Sequence, residues 1–193
     1  MILSAYSDQH EILSSILELH VPEGTFSVDP TYGRGGFYKK GIPEPLARYD
    51  LHPRDSSIQQ GDCRHLPVED GSLDSMIIDL PYLHAPGKES VMGNQFGGFR
   101  TQRDLWDCHL EAIVEAARVL KKGGTLTLKC QDIVEAGKQV FNHCEVYNIA
   151  RSMGFTAIDL FVLVKNGKPI QGWNHSIQKH SRKNCSYFWV FRK

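Results

Sequence analysis

The chain has 193 residues, with 22 basic and 22 acidic side chains and no net charge. That length suits one domain with a sizeable core, and the balance excludes a globally basic nucleic-acid binder or a polycationic membrane-surface protein. No apolar run is long enough to span a bilayer, and the N-terminus lacks the basic start and long apolar centre of a signal peptide. Five scattered cysteines, none in a CxxC pair, predict reduced thiols in a cytoplasmic protein and neither a disulfide frame nor a metal site.

In chain order, Ser7-Asp8 caps an amphipathic helix carrying Ile12, Leu13, Ile16, Leu17 and Leu19, stopped by Val21-Pro22-Glu23-Gly24. Thr25–Val28 reads as the first strand. It runs into Asp29-Pro30-Thr31-Tyr32-Gly33-Arg34-Gly35-Gly36, an acid followed by a glycine cluster. Glycines there permit positive φ and remove the Cβ atoms that would hold a ligand away. The prolines at 43 and 45 predict that any helix after this loop is short, distorted or missing.

Leu46–Asp50 reads as a second strand closed by an acid, about 20 residues after Asp29, a spacing at which open α/β folds hold ribose hydroxyls. Gln59-Gln60-Gly61-Asp62-Cys63 provides a third acid. The run Met76-Ile77-Ile78 reads as a buried fourth strand ending at Asp79-Leu80-Pro81-Tyr82. A carboxylate and the Leu80 carbonyl can both accept from one amino group, Pro81 stiffens the turn, and the Tyr82 ring offers a stacking face. From Leu83 to Arg103 there is no periodicity. A loop this long, with Phe96, Phe99 and Arg100, reads as a lid over a target or as disorder without ligand.

Asp104 is expected to cap the next helix, whose stripe is Leu105, Leu110, Ile113, Val114, Ala117 and Leu120, closed by Lys121-Lys122-Gly123-Gly124. Thr125–Lys129 is the predicted fifth strand, Val146–Met153 a helix, Thr156–Val164 the sixth strand and Ser186–Phe191 the seventh. No helix separates the last two strands, which predicts an antiparallel end to the sheet. The segment from Lys165 to Asn184 contains Lys179, Arg182 and Lys183 and no acid. With Arg34, Lys39, Lys40 and Arg100 it would give a neutral protein one positive face suited to phosphates, or else a solvated loop.

Asp79-Leu80-Pro81-Tyr82 resembles the Asp/Asn-Pro-Pro-Tyr motif of the S-adenosylmethionine-dependent amino-methyltransferases, with Leu80 replacing a proline whose contribution is a carbonyl. The Leu120-Lys121-Lys122-Gly123-Gly124-Thr125-Leu126 run resembles that family's helix-to-strand junction, and the likeness extends over nearly the whole chain. It implies an α/β Rossmann-like methyltransferase fold in one domain: a seven-stranded, mostly parallel sheet with the last strand antiparallel and helices on both faces.

The resemblance also implies S-adenosyl-L-methionine as cofactor. It would be held by Asp29 at the methionine amino group, Pro30, Thr31, Tyr32, Gly33 and Gly35 beneath it, Asp50 at the ribose, and Asp62 and Cys63 at the adenine. Catalysis would fall to Asp79, Leu80, Pro81 and Tyr82, on adenine-N6 or cytosine-N4 of DNA in preference to RNA. Nucleic-acid contacts would come from Arg34, Lys39, Lys40, Phe96, Phe99, Arg100, Lys179, Arg182 and Lys183. A second copy or a recognition subunit is a candidate partner, since no separate target-recognition domain is expected. The alternatives are an RNA base methyltransferase, a protein glutamine methyltransferase and a non-catalytic cofactor-binding subunit. No cysteine follows the fourth strand in a Pro-Cys pair, which argues against cytosine carbon-five chemistry.

Overall fold

The computed structural model describes residues 1–81, 99, 101–165, 179–181 and 183–193. Strand β1 (Ala5–Tyr6) and helix α1 (Gln9–His20) open the chain, followed by β2 (Val28–Asp29), β3 (Ala47–Asp50), β4 (Gln59–Gln60) and β5 (Leu73–Asp79). Helix α2 (Gln102–Val119) leads directly into β6 (Leu120–Cys130). A small hairpin, β7 (Ile133–Glu135) and β8 (Lys138–Val140), precedes α3 (Asn142–Ser152), β9 (Thr156–Val164) and β10 (Cys185–Arg192).

The main sheet has the order β1-β9-β10-β6-β5-β2-β3-β4. β2 to β6 run parallel, and β10 is antiparallel to both β6 and β9. The expected layout therefore holds, with one correction. The sheet has eight strands because β1 adds to its edge, pairing Ala5 with Val162 and Tyr6 with Leu163. A two-residue strand carries no readable alternation, so nothing in the sequence marked it.

The apolar central strands are buried on both faces, as parallel strands must be. On one face Met76, Ile78, Leu126 and Leu128 pack against Leu105, Ala112, Ile113 and Ala116 of α2 and Val146 and Ala150 of α3. On the other, Ile77, Phe188 and Val190 pack against Ile12, Leu13 and Ile16 of α1. Asp8 caps α1, accepting from the His10 N–H at 3.0 Å.

Several boundaries differ from expectation. Lys121-Lys122-Gly123-Gly124 do not close the helix but lie within β6, which starts at Leu120 and not at Thr125, because the chain enters the ladder there, Leu73 pairing with Leu120. The first strand does not span 25–28 as a ladder, because Ser27 and Ser75 exchange side-chain bonds in its place: Ser27 N–H donates to Ser75 Oγ at 3.0 Å and Ser75 N–H to Ser27 Oγ at 3.1 Å. The cap of α2 is Thr101, not Asp104. Asp104 is the reciprocal partner of a capping box, with Thr101 Oγ1 accepting from its N–H at 3.1 Å and its carboxylate accepting from Thr101 N–H at 3.0 Å. Helix α3 begins at Asn142, four residues before Val146, because Asn142 is tied into the core: its Oδ1 accepts from Gln102 and Trp106, and its Nδ2 donates to the Gln131 carbonyl.

As the prolines predicted, residues 30–42 form turns, not a helix. The chain steps from β2 outward to β3 and β4, then crosses to β5 and β6 on β2's other side. That reversal places a crevice at the carboxyl ends of β2 and β5, where open α/β sheets bind ligands. Among the described residues, no helix is long and apolar enough to cross a membrane.

Candidate functional site

A cavity of about 420 Å³ opens at that crevice, within the 300–1,000 Å³ of typical small-molecule sites. Asp29, Asp50, Asp62 and Asp79 all line it, together with Pro30, Thr31, Tyr32, Gly33, Arg34, Cys63, Leu80 and Pro81. Four acids that close or follow four neighbouring strands thus meet at one space.

Asp29 is the most enclosed of them, 2% exposed at the end of β2. Its Oδ1 accepts from Thr31 N–H at 2.8 Å and Thr31 Oγ1 at 3.1 Å, and its Oδ2 from the Tyr38 hydroxyl at 2.7 Å. Burial pushes its pKa up to about 7, against the opposing pull of these three donors, and the charge of Asp79 adds to the rise. The Tyr38 hydroxyl is pushed well above its ordinary range by burial and by Asp29.

Thr31 also joins the two ends of the site. Its Oγ1 accepts from Asp79 N–H at 2.9 Å while donating to Asp29, so one hydroxyl sets the spacing of the β2 and β5 termini.

The glycine loop is shaped by its neighbours. Tyr32 and Tyr38 stack at 5.3 Å, and the Tyr32 hydroxyl donates to Glu44 at 2.8 Å. Gly35 has φ +62°, and a Cβ there would lie 2.6 Å from the Tyr32 hydroxyl, so this position requires glycine. Gly33 N–H donates to Asp50 Oδ2 at 2.8 Å, binding the loop to the end of β3, while His52 N–H holds the other oxygen at 2.8 Å. From the opposite side, Gln9 at the start of α1 donates to the Gly36 carbonyl at 3.1 Å and itself lines the cavity.

Asp62 is closed into a tight local pair. It accepts from the N–H, Nε and Nη2 of Arg64, the last at 2.6 Å, and this guanidinium holds its carboxyl below the usual range. Cys63 is buried against Cys108 of α2, and both line the cavity.

Asp79 donates its N–H to Thr31 and carries an ion pair on its side chain. Lys129 Nζ, at the end of β6, lies 2.9 Å from Asp79 Oδ2. From sequence alone the Lys129 strand reads as purely structural. Its one signal is a lysine at the carboxyl end of a strand otherwise written in Leu and Thr. Gln9, Cys108, His52 and Arg54 are further lining residues that no sequence motif singles out.

The predicted nucleic-acid residues divide. Arg34 lines the cavity mouth and is exposed, and Phe99 lines the cavity while packing against the core. Lys39 is exposed, whereas Lys40 is engaged by Asp8 at 2.5 Å and is not brought to the site. Lys183 lies beyond the end of β6, its Nζ 5.7 Å from the Phe141 ring centre and its carbonyl accepting from Gln131. Lys179 and Lys183 belong to the segment leaving the carboxyl end of β9, which runs parallel to β5. Tyr82, Phe96, Arg100 and Arg182 lie outside the described residues, as do most of the Leu83–Arg103 and Lys165–Asn184 segments.

No protein-family model matches the chain, and no curated protein sequence does. Solved structures do match. A candidate sarcosine dimethylglycine methyltransferase from Galdieria sulphuraria aligns over 95% of this chain and 84% of its own, with 15% identity and a TM-score of 0.56. TrmN from Thermus thermophilus aligns over 95% of this chain and 48% of its own, also at 15% identity and 0.56. A candidate DNA modification methylase, also from Thermus thermophilus and solved with S-adenosyl-L-methionine, aligns over 69% of this chain and 53% of its own, at 19% identity and a TM-score of 0.49. The matched region is thus about half the length of the latter two proteins. At these identities the likeness is one of fold, and the fold is the Rossmann-like methyltransferase fold.

Proposed function

We propose that the chain is an S-adenosyl-L-methionine-dependent methyltransferase acting on the exocyclic amino group of a nucleobase, adenine-N6 or cytosine-N4 in DNA. The observation that carries this reading is the convergence of Asp29, Asp50, Asp62 and Asp79 on one cavity, with the Asp79-Leu80-Pro81 turn at its rim. The donor set fits the cofactor. A buried carboxylate at Asp29 suits an ammonium, and one at Asp50 suits paired ribose hydroxyls. The Asp62–Cys63 step brings an acceptor and a backbone N–H together for an adenine edge.

When bound, the cofactor supplies an electrophilic methyl carbon on a sulfonium. The chain's own residues do the rest. Asp79 Oδ1 and the Leu80 carbonyl accept from the target amine and turn its lone pair out of conjugation towards the methyl group. Thr31, bonded to both Asp29 and Asp79, keeps the two halves of the site in register. Acceleration comes from positioning and from a fixed polar environment, with no covalent enzyme adduct. Tyr82 is the stacking candidate. A base taken from a duplex costs a few kcal/mol to flip, and stacking at about 1–3 kcal/mol per base offsets much of that.

The test is transfer of labelled methyl from S-adenosylmethionine to duplex DNA, single-stranded DNA, total RNA and protein, with Asp79→Ala beside the wild type. Label on DNA that falls by about 10²-fold or more in the variant supports the reading. Label on protein with all nucleic acids blank contradicts it.

A further inference from the structure

Asp79 does not present an isolated negative charge to the cavity. Lys129 is only 7% exposed, its Nζ lies 2.9 Å from Asp79 Oδ2, and it lines the same cavity. Two aromatic faces hold the ammonium in place, with the ring centres of Phe37 and Phe188 at 5.0 and 5.7 Å. Lys129 is therefore fixed and shielded from water beside an Asp79 side chain that is 26% exposed, and its positive charge offsets much of the carboxylate's for a ligand placed next to the pair.

This bears on which amines the site accepts. An aliphatic amine is an ammonium at neutral pH, and a site for it needs a net negative charge. It must also lose a proton before its nitrogen can attack. An aryl amine is neutral, needs only hydrogen-bond acceptors, and finds them in the second Asp79 oxygen and the Leu80 carbonyl. The other acids are matched elsewhere: Asp62 is bound by Arg64, and Asp29, whose three donors are all uncharged, is on this reading taken up by the ammonium of the bound cofactor.

We propose that Lys129 is a specificity-determining residue. By pairing with Asp79 it renders the acceptor end of the cavity electrically neutral, so the site takes uncharged aryl amines and excludes cationic alkylamines. The inference rests on the methyltransferase reading and narrows its substrate class.

A charge cycle tests it: wild type, Lys129→Met, Asp79→Asn and the double variant, with Lys129→Gln as a second neutral replacement should methionine disturb the core. Each protein is confirmed folded by circular dichroism. Each is then titrated calorimetrically with S-adenosylmethionine and S-adenosylhomocysteine, which differ by the sulfonium charge. With S-adenosylhomocysteine in place, each is titrated with benzylamine, cationic at pH 7.5.

The single Lys129 variants leave Asp79 uncompensated. They should bind the sulfonium form and benzylammonium about tenfold more tightly, relative to wild type, than a volume change alone would produce. The double variant should return to the wild-type ratio, and Asp79→Asn should fall below it. Equal ratios in all four proteins, or wild type binding benzylammonium as tightly as Lys129→Met, would overturn the proposal. No nucleic acid enters these titrations, so failure of transfer to DNA and failure of this inference are read separately.

Discussion

Asp29 gives the site a titration of its own. Its carboxyl is held at about 7 by burial, far above the ordinary value of 3.8. Between those values the folded protein binds more protons there than the unfolded chain, so stability falls as pH rises from about 4 to about 7. Asp29→Asn should flatten that part of a denaturant-midpoint-against-pH profile. Cofactor binding should respond in the opposite sense. If Asp29 receives the methionine ammonium as proposed, only its ionised form attracts it, so affinity should rise with pH through about 7 in wild type and stay level in Asp29→Asn, as read by calorimetry.

Asp29 and Asp79 were legible because each ends an apolar run, whereas Asp50 and Asp62, after Ala47-Arg48-Tyr49 and Gln59-Gln60-Gly61, were legible only through their order at the ends of successive strands. Lys129 was not legible. A lysine after Thr125-Leu126-Thr127-Leu128 looks like a solubilising strand terminus, and only its burial beside Asp79 and the rings of Phe37 and Phe188 shows otherwise. The engagement of Lys40 by Asp8 was equally hidden, since 32 residues separate them.

The elements around the cavity are joined through side chains as much as through the sheet. β2 is only two residues long, yet Ser27 with Ser75 and Thr31 with Asp79 fix it against β5 on either side of the Val28–Met76 pairing. Thr31→Val keeps the shape and removes the bridging hydroxyl. It should lower the transfer rate about tenfold or more while changing cofactor affinity less, because it releases Asp79 from its register with Asp29. A fall in affinity as large as the fall in rate would show instead that the loop itself had collapsed.

Long elements were readable in part from periodicity: β9 matches its expected range of 156–164, and α1 begins at the expected cap. In α2, however, Leu110 and Val114 of the expected stripe are exposed and Leu120 belongs to β6, the buried face running through Leu105, Ala112, Ile113 and Ala116. The short elements were not readable. β1 and the β7–β8 hairpin, turning through Ala136 and Gly137 at φ 46° and 75°, are too brief to establish a period. The boundary of α2 was misplaced because Thr101 and Asp104 are both good capping residues. Which of them occupies the cap depends on where the backbone turns, not on residue type.

For the whole molecule, zero net charge means that any attraction to nucleic acid must be local. Lys179 and Lys183 follow β9, on the same side of the sheet as the carboxyl ends of β2 and β5. Replacing each by glutamine should lower the slope of log affinity against log salt by about one per residue for duplex DNA, leaving cofactor affinity unchanged. A slope unaffected by both would place the phosphate contacts elsewhere.

The order of the strands could not be derived residue by residue. What followed from the family likeness was a mostly parallel sheet with its last strand reversed, and the sheet bears that out apart from the added edge strand. That order is what brings acids from distant points in the chain to one crevice. The most direct test of that convergence is a calorimetric titration of wild type, Asp50→Ala and Asp62→Ala with S-adenosylhomocysteine. One-to-one binding by wild type, weakened about tenfold or more in each variant, is the predicted result. No binding by wild type, or affinities that ignore both substitutions, would contradict it.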